Sequence, residues 1–321
     1  RRWMNLLPVR EKGKPRMYDL VVIGHLLKER IIFAGGRKIG PVLGSPAAYS
    51  AMAAARTGGK IGIVSLIGAD MPDELLDTLY AAGIDMQGVH REDRGTENRL
   101  VYDEAGNKRL EFIHKARQIE FSDIPEEYLQ ARIFLLCPID YETPLSLLEE
   151  LSLYQADMAV DLGGYGGASS QAGRHSIRER IDYLGEIAPY FKIIKGSRED
   201  IQRLYENNIP GDEEFLAELA ARGVPLSIVT CGPEGALLQE DKRLHQVPVF
   251  TGGAIDTTGA GDSWFGAFLA EYIRGEDSYR AAIYASAFAS IMVRRSGGVN
   301  PERMPGREEV KEKIQKSGLH L

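Results

Sequence analysis

Asp256-Thr257-Thr258-Gly259-Ala260-Gly261-Asp262 runs directly into Ser263-Trp264-Phe265-Gly266-Ala267-Phe268-Leu269. A string of small residues here meets the start of an apolar helical run. Gly259 and Gly261 let successive backbone N–H groups turn to one side, and a helix N-terminus adds its partial positive charge. Such a turn is an anion site, suited to the charge that builds on a phosphoryl group in transfer. Asp262 stands at the helix start, where a carboxylate could accept the proton of an attacking hydroxyl. A plainer reading stays open, in which Asp262 only caps the helix. Two other phosphate-binding patterns do not fit. The third glycine of a dinucleotide fingerprint would fall on Trp264, and no Gly-Lys-Ser/Thr of a Walker loop occurs.

Outward from this turn, the chain alternates strand and helix. Residues 18–24 (YDLVVIG) are a continuous apolar run ending in glycine, as a buried parallel strand requires. Residues 45–58 are alanine-rich and close on Gly58-Gly59, a helix with its C-cap. Residues 60–67 predict the next strand, and 73–82 a helix stopped at Gly83. Further strands are predicted at 133–137, 158–161, 191–195 and 226–231, with helices at 144–154, 176–188, 198–205 and 212–222. A hairpin at 236–249 precedes two long helical runs, 262–274 and 278–294. This order predicts an α/β fold with a doubly wound, mostly parallel sheet flanked by helices.

Two segments break the rhythm. Residues 29–43 and 96–113 alternate, are rich in polar residues, and carry Gly35-Gly36 and Gly106-Asn107 turns. They are expected to be antiparallel strands outside the main sheet, a small β lid over the substrate. No internal repeat marks a second domain, so 17–321 reads as one unit. Residues 1–16 set basic side chains around a short apolar patch and lack the long apolar core of a signal peptide. With Met17 directly before the first strand, they are expected to be a leader outside the fold.

Composition narrows the partners. The 321 residues are 44% hydrophobic and 26% charged, with a net charge of −7. An acidic surface offers no electrostatic footprint for nucleic acid or an anionic membrane. An anion must then be held by local amides and a few placed cations. Cys137 and Cys231 lie far apart in apolar stretches and read as reduced core thiols of a cytoplasmic protein. The six histidines form no HxxxH pair and no Cys/His cluster, which argues against zinc. No apolar run reaches the roughly 20 residues that span a bilayer.

The D-T-x-G-A-G-D string closely resembles the C-terminal signature of the ribokinase-like (PfkB) carbohydrate kinases. More stretches match in order over residues 17–300. Gly44-Ser45-Pro46-Ala47-Ala48-Tyr49-Ser50 resembles the family's N-terminal glycine-pair motif. Lys195-Gly196-Ser197-Arg198-Glu199-Asp200 stands in the place of its N-x-x-E motif, and Thr230-Cys231-Gly232-Pro233-Glu234-Gly235-Ala236 resembles its T-x-G-x-x-G nucleotide loop. The resemblance implies ATP as donor and Mg²⁺ as cofactor, and Asp262 as catalytic base. It implies an anion hole from the amides of Gly259, Ala260 and Gly261, and a monovalent-cation (K⁺) site near Asp256. Ser197, Thr230, Gly232, Gly235 and Asp256 would serve the nucleotide, with Gly259 and Gly261. Glu29, Gly44, Ser45 and Tyr49 would face the acceptor beside Asp262. Asp200 would organise Mg²⁺, or Glu199 if the register shifts. Family lids also pair into homodimers.

Some positions depart from the family pattern. Ser197 replaces the usual Asn, Asp200 the usual Glu, Glu29 an Asp, and Tyr49 an Asn that often meets the sugar. Tyr49 either takes that role or packs the helix against the lid. Tyr49-Ser50, K-x-S-x-x-D, residues 98–110 with Arg99 and Arg109, Asp123-Ile124-Pro125 and Asp161-Leu162-Gly163-Gly164 resemble an inositol-kinase-like branch. The expected function is therefore an ATP-dependent kinase for a hydroxyl of a sugar or polyol. The alternative is a nucleoside kinase of the same family, with Tyr49, Tyr102 or Phe112 as platform for the base. A non-catalytic sugar- or nucleotide-binding regulator is the third, and it would have no need of Asp262. The acceptor, the oligomeric state and the role of the glycine loop 163–167 stay open at this level.

Overall fold

The computed structural model describes residues 17–104, 108–171, 175–250, 252–275 and 277–319. Residues 1–16 and the Gly106-Asn107 turn therefore lie outside the described residues. The strands are β1 (Leu20–Ile23), β2 (Leu27–Ile32), β3 (Lys38–Gly44), β4 (Ile61–Gly68), β5 (Asp85–Glu92), β6 (Glu97–Tyr102), β7 (Lys108–His114), β8 (Ile133–Leu136), β9 (Asp157–Asp161), β10 (Ile193–Ser197), β11 (Leu226–Thr230), β12 (Ala236–Glu240) and β13 (Arg243–Val247). The helices are α1 (Pro46–Arg56), α2 (Asp73–Ala81), α3 (Leu145–Leu151), α4 (Ile177–Ile187), α5 (Arg198–Tyr205), α6 (Asp212–Ala221), α7 (Ala260–Ile273), α8 (Ser278–Met292) and α9 (Arg307–Lys316).

One sheet of nine strands has the order β13-β12-β11-β10-β9-β8-β1-β4-β5. Pairing is parallel from β11 to β5, and only the β11–β12 and β12–β13 pairs are antiparallel. Both faces are covered, which is why β1 is apolar throughout. Leu20 and Val22 enter one core with α1, α7 and α8, while Val21 and Ile23 enter the other with α3 to α6. The chain runs from β1 to β4 and β5 on one side, then returns to place β8 on the other side of β1. The crevice at the β1/β8 carboxyl ends is thus the topological switch point, where open α/β sheets bind ligands.

The second sheet has the order β3-β2-β6-β7. Each hairpin is antiparallel as expected, but β2 pairs with β6 in parallel. The reason is entry direction. β2 follows β1 and β6 follows β5, and both parent strands run the same way in the main sheet. β5 and α9 were not foreseen. β5 (DMQGVHRE) is an edge strand with a polar sequence, so it lacks the apolar run that marked its neighbours.

Candidate active site

The start of α7 is built by a close helix crossing. A Cβ on Gly266 would stand 2.1 Å from the Ser50 carbonyl oxygen, so α1 and α7 touch backbone to backbone. Ser50 Oγ also donates to the Asp262 carbonyl at 3.0 Å. These contacts hold the first two turns of α7 against the second turn of α1. Ser45 caps α1, its Oγ accepting from the Ala48 amide at 3.1 Å. Its φ of 141° lies in a region that residues other than glycine rarely adopt, and such strain clusters where function requires it.

Gly259 is the N-cap of α7, with φ 70° and no side-chain capping bond. Asp262 is half-buried at the third helical position, with its carboxylate in the first turn of α7. The Ala260 amide donates to the Thr257 carbonyl at 3.1 Å, so of the three amides expected to bind an anion this one is committed to the turn. Gly259 is glycine for two reasons. Its φ is positive, and a Cβ there would fall 2.4 Å from the Tyr49 ring. Tyr49 is buried and packs beneath the loop. Burial pushes the Tyr49 phenol up in pKa, and the nearby carboxylates of Glu29, Asp256 and Asp262 push the same way.

A cation the sequence reading did not single out lies at this loop. Lys195 Nζ bonds Asp161 Oδ2 at 2.7 Å, between register partners on the adjacent strands β10 and β9. A Cβ on Gly261 would stand 3.1 Å from that same Nζ. Lys195 is 3% exposed. Burial works against its charge, but the carboxylates of Asp161, Asp200 and Asp262 outweigh burial and hold its pKa above the ordinary lysine range. The signal was present in the sequence: a lysine near the end of a strand of a sheet buried on both faces must find a partner.

Asp200 is buried at the start of α5. Its Oδ2 accepts from the Ser197 amide and hydroxyl at 2.7 and 2.6 Å, and its Oδ1 from the Ala168 amide at 2.8 Å. Ser197 and Asp200 form a capping box, which serves where Asn and Glu were expected. The glycine loop folds over this carboxylate. A Cβ on Gly167 would meet Asp200 Oδ1 at 2.6 Å, and Ser169 N donates to Gly163 O at 3.0 Å. Glu199, the other carboxylate named for magnesium, instead pairs with Arg203 at 3.2 Å on the exposed side of α5. No group of three His, Cys, Asp or Glu able to cage a metal occurs among the described residues. The oxygen donors here fit magnesium that keeps its waters and its phosphate ligands.

The nucleotide-side loop follows β11. Cys231 N donates to Gly235 O at 2.8 Å and Gly235 N to Gly232 O at 3.2 Å, with positive φ at both glycines. Thr230 is the register partner of Ser197, so the two loops stand side by side. Arg198 ties them, bonding Asp212 and Glu234 at 2.7 Å each.

On the acceptor side, Glu29 is buried with its carboxylate against Gly44, where a Cβ would meet Oε2 at 3.3 Å. Glu29, Asn98 and Phe112 are register partners across β2, β6 and β7 and form one row. Asn98 Oδ1 is buried without a partner among the described residues. The Tyr102 side chain lies outside the described residues. A cavity of about 590 Å³ opens at the β1/β8 switch point, lined by His25, Thr96, Phe112, Lys115, Asp140 and Glu142. His25 bonds Thr96 Oγ1 through Nδ1 at 2.8 Å, while its buried Nε2 has no partner among the described residues. Burial pulls the His25 pKa below its usual range. The cavity lining includes neither Asp262 nor Gly44, so the cavity does not contain the phosphoryl end of the site.

The sequence pattern of the pfkB family carbohydrate kinases matches residues 19–304. The chain is 32% identical over 264 residues to the cytidine kinase of Thermococcus kodakarensis, covering 81% of this chain and 90% of that one. The structure is similar to that of the fructokinase with bound ATP from Xylella fastidiosa, with a TM-score of 0.78 at 20% identity, covering 94% of this chain and 100% of that one. It is also similar to the nucleoside kinase of Methanocaldococcus jannaschii, with a TM-score of 0.72 at 20% identity, covering 93% of this chain and 98% of that one. At these identities the two structural matches speak to the fold.

Proposed function

The chain belongs to the pfkB family of carbohydrate kinases, phosphotransferases that act on a hydroxyl group, and from that premise we propose that it moves the γ-phosphoryl group of ATP onto a nucleoside hydroxyl. The observation that carries the nucleoside reading is the switch-point cavity. Its volume of about 590 Å³ exceeds what a single sugar ring fills and lies in the size class of pockets for larger ligands. Phe112 gives it an aromatic wall for a base, and the unpartnered His25 Nε2 gives it a polar contact. The 32% identical relative is named a cytidine kinase.

In this reading the ribose end points to Glu29, Gly44 and Asp262. Asp262 accepts the hydroxyl proton as the oxygen attacks the γ-phosphorus, and the bond to the departing ADP oxygen breaks. The amides of Gly259 and Gly261 and the Lys195 ammonium take up the charge on the transferring group. Asp200 would hold hydrated magnesium, which would supply positive charge to the phosphate oxygens. The reading places the enzyme in the cytoplasm. It also pairs two copies through the lid, where Ile39 and Ile113 are exposed. No helix among the described residues is long and apolar enough to cross a membrane.

A sugar or polyol acceptor is the second reading, favoured by the buried Glu29 carboxylate beside Gly44, a place suited to hydroxyl recognition. ADP release with cytidine, uridine, adenosine, ribose, fructose, ketodeoxygluconate and myo-inositol separates them. We expect a nucleoside to lead, and Phe112→Ala to raise its KM by about tenfold, the worth of a base stack. Turnover with free sugars or inositol alone overturns the nucleoside reading. ATP binding without turnover of any acceptor favours a regulator.

A further inference from the structure

The family resemblance implied a monovalent cation near Asp256, and the structure places an arginine there. Arg303 is 1% exposed. Its Nη2 donates to the Asp256 carbonyl at 2.7 Å and lies 3.4 Å from Asp256 Oδ1, and its Nε donates to the Arg295 carbonyl at 3.0 Å. Two carbonyls and a carboxylate converging on one point are the hard oxygen donors an alkali ion needs. Here all of them face a guanidinium. A second positive charge within about 4 Å would be repelled strongly in this buried setting. Nη1 is buried and unpartnered among the described residues, but it is a donor and adds nothing a cation could bind. These residues do not fit an added alkali ion.

The arginine is tied to the phosphoryl loop in several ways. Asp256 Oδ1 also accepts from the Thr258 amide at 2.9 Å, which shapes the turn into Gly259. The amides of Ile255 and Asp256 donate to the Val293 carbonyl just past α8 at 2.7 and 3.1 Å. The guanidinium carbon lies 5.9 Å from the centre of the Tyr49 ring, which packs against Gly259. We propose that Arg303 is a built-in replacement for the monovalent cation, a positioning residue that holds the 256–259 turn for phosphoryl transfer, so that this protein works without K⁺ or Na⁺. A guanidinium is always charged, and its planar fork satisfies both carbonyls at once. It differs from a bound ion in that it cannot dissociate.

This inference rests on the kinase reading, so its test includes a measurement that needs no acceptor. ATP affinity by calorimetry and ADP release with the best acceptor are measured for the full chain in KCl, NaCl and tetramethylammonium chloride at equal ionic strength. Both quantities are expected to be the same in all three salts. Arg303→Met should raise the KM for ATP and lower kcat, together by about tenfold or more, as loss of hydrogen bonds from a charged group does. KCl should recover part of that loss in Arg303→Met and tetramethylammonium chloride none, while Arg303→Lys should stay independent of salt identity. A wild-type ATP affinity or rate that falls about tenfold in tetramethylammonium and returns with K⁺ overturns the proposal. So does a folded Arg303→Met that behaves as wild type in every salt. If Arg303→Met does not fold, the wild-type comparison decides alone. If no acceptor is found, the calorimetric series still decides.

Discussion

Asp262 and Lys195 set opposite charges close together at the start of α7. Asp262→Asn keeps size and hydrogen bonding but removes basicity, so kcat should fall by about 10²–10⁴-fold. ATP affinity should hold, because the loop amides are untouched. Steady-state kinetics with calorimetry on the same folded variant reads both, and a near-normal kcat would reduce Asp262 to a structural residue. Lys195→Met strips Asp161 of its partner at 2.7 Å and leaves the nearby Asp200 and Asp262 charges uncompensated. Breaking such a buried pair should cost about 3–5 kcal/mol in thermal or denaturant unfolding. Asp161→Asn added to Lys195→Met should return part of that stability and none of the phosphate affinity. If stability and ATP affinity return together, Lys195 acts through the fold alone.

Among the elements, α1 and α7 decide the site because their backbones meet. The alanine-rich face of α1 and Gly266 of α7 are what permit that approach. Even one methyl group at Gly266 would sit 2.1 Å from a backbone carbonyl, and no rotamer change can relieve it. Gly266→Ala should therefore destabilise by at least about 2 kcal/mol, measured as a lower Tm. A variant with unchanged Tm would show that the helices can separate at no cost. Both helices were legible in the sequence, since alanine runs with a glycine stop and an apolar run after the glycine turn are local signals. β5 and α9 were not. One is a polar edge strand, and the other holds its place on α8 with only Val310 and Ile314 buried.

The whole molecule is a rigid sheet with a smaller sheet attached at its carboxyl edge. Glu29, Asn98 and Phe112 form one row across the small sheet, so a ligand that meets one meets the others. Closure over an acceptor excludes water and limits wasteful ATP hydrolysis. Amides in 29–43 and in the described part of 96–113 should therefore exchange more slowly with saturating acceptor and an unreactive ATP analogue, read by hydrogen exchange. If neither segment slows, the small sheet is not a lid.

At this scale sequence and structure divide the information cleanly. The alternation of apolar runs with helical stretches, closed by glycines, is local, and it determined the doubly wound class, the small β insertion and the phosphoryl loop at Gly259–Asp262. Short-range patterning suffices there because period, caps and turns are properties of neighbouring residues. Only the tertiary structure decided that β2 and β6 run parallel, and that the Tyr49 ring packs against Gly259. It alone brought Lys195 beside Gly261 and set Arg303 against Asp256, which is 47 residues away in the chain. Nothing around Arg303 in Asn300-Pro301-Glu302-Arg303-Met304 marks it as special. Its position follows from the packing of α7 and α8, which turns two distant carbonyls toward one point, and burial then demands a hydrogen-bond donor to meet them.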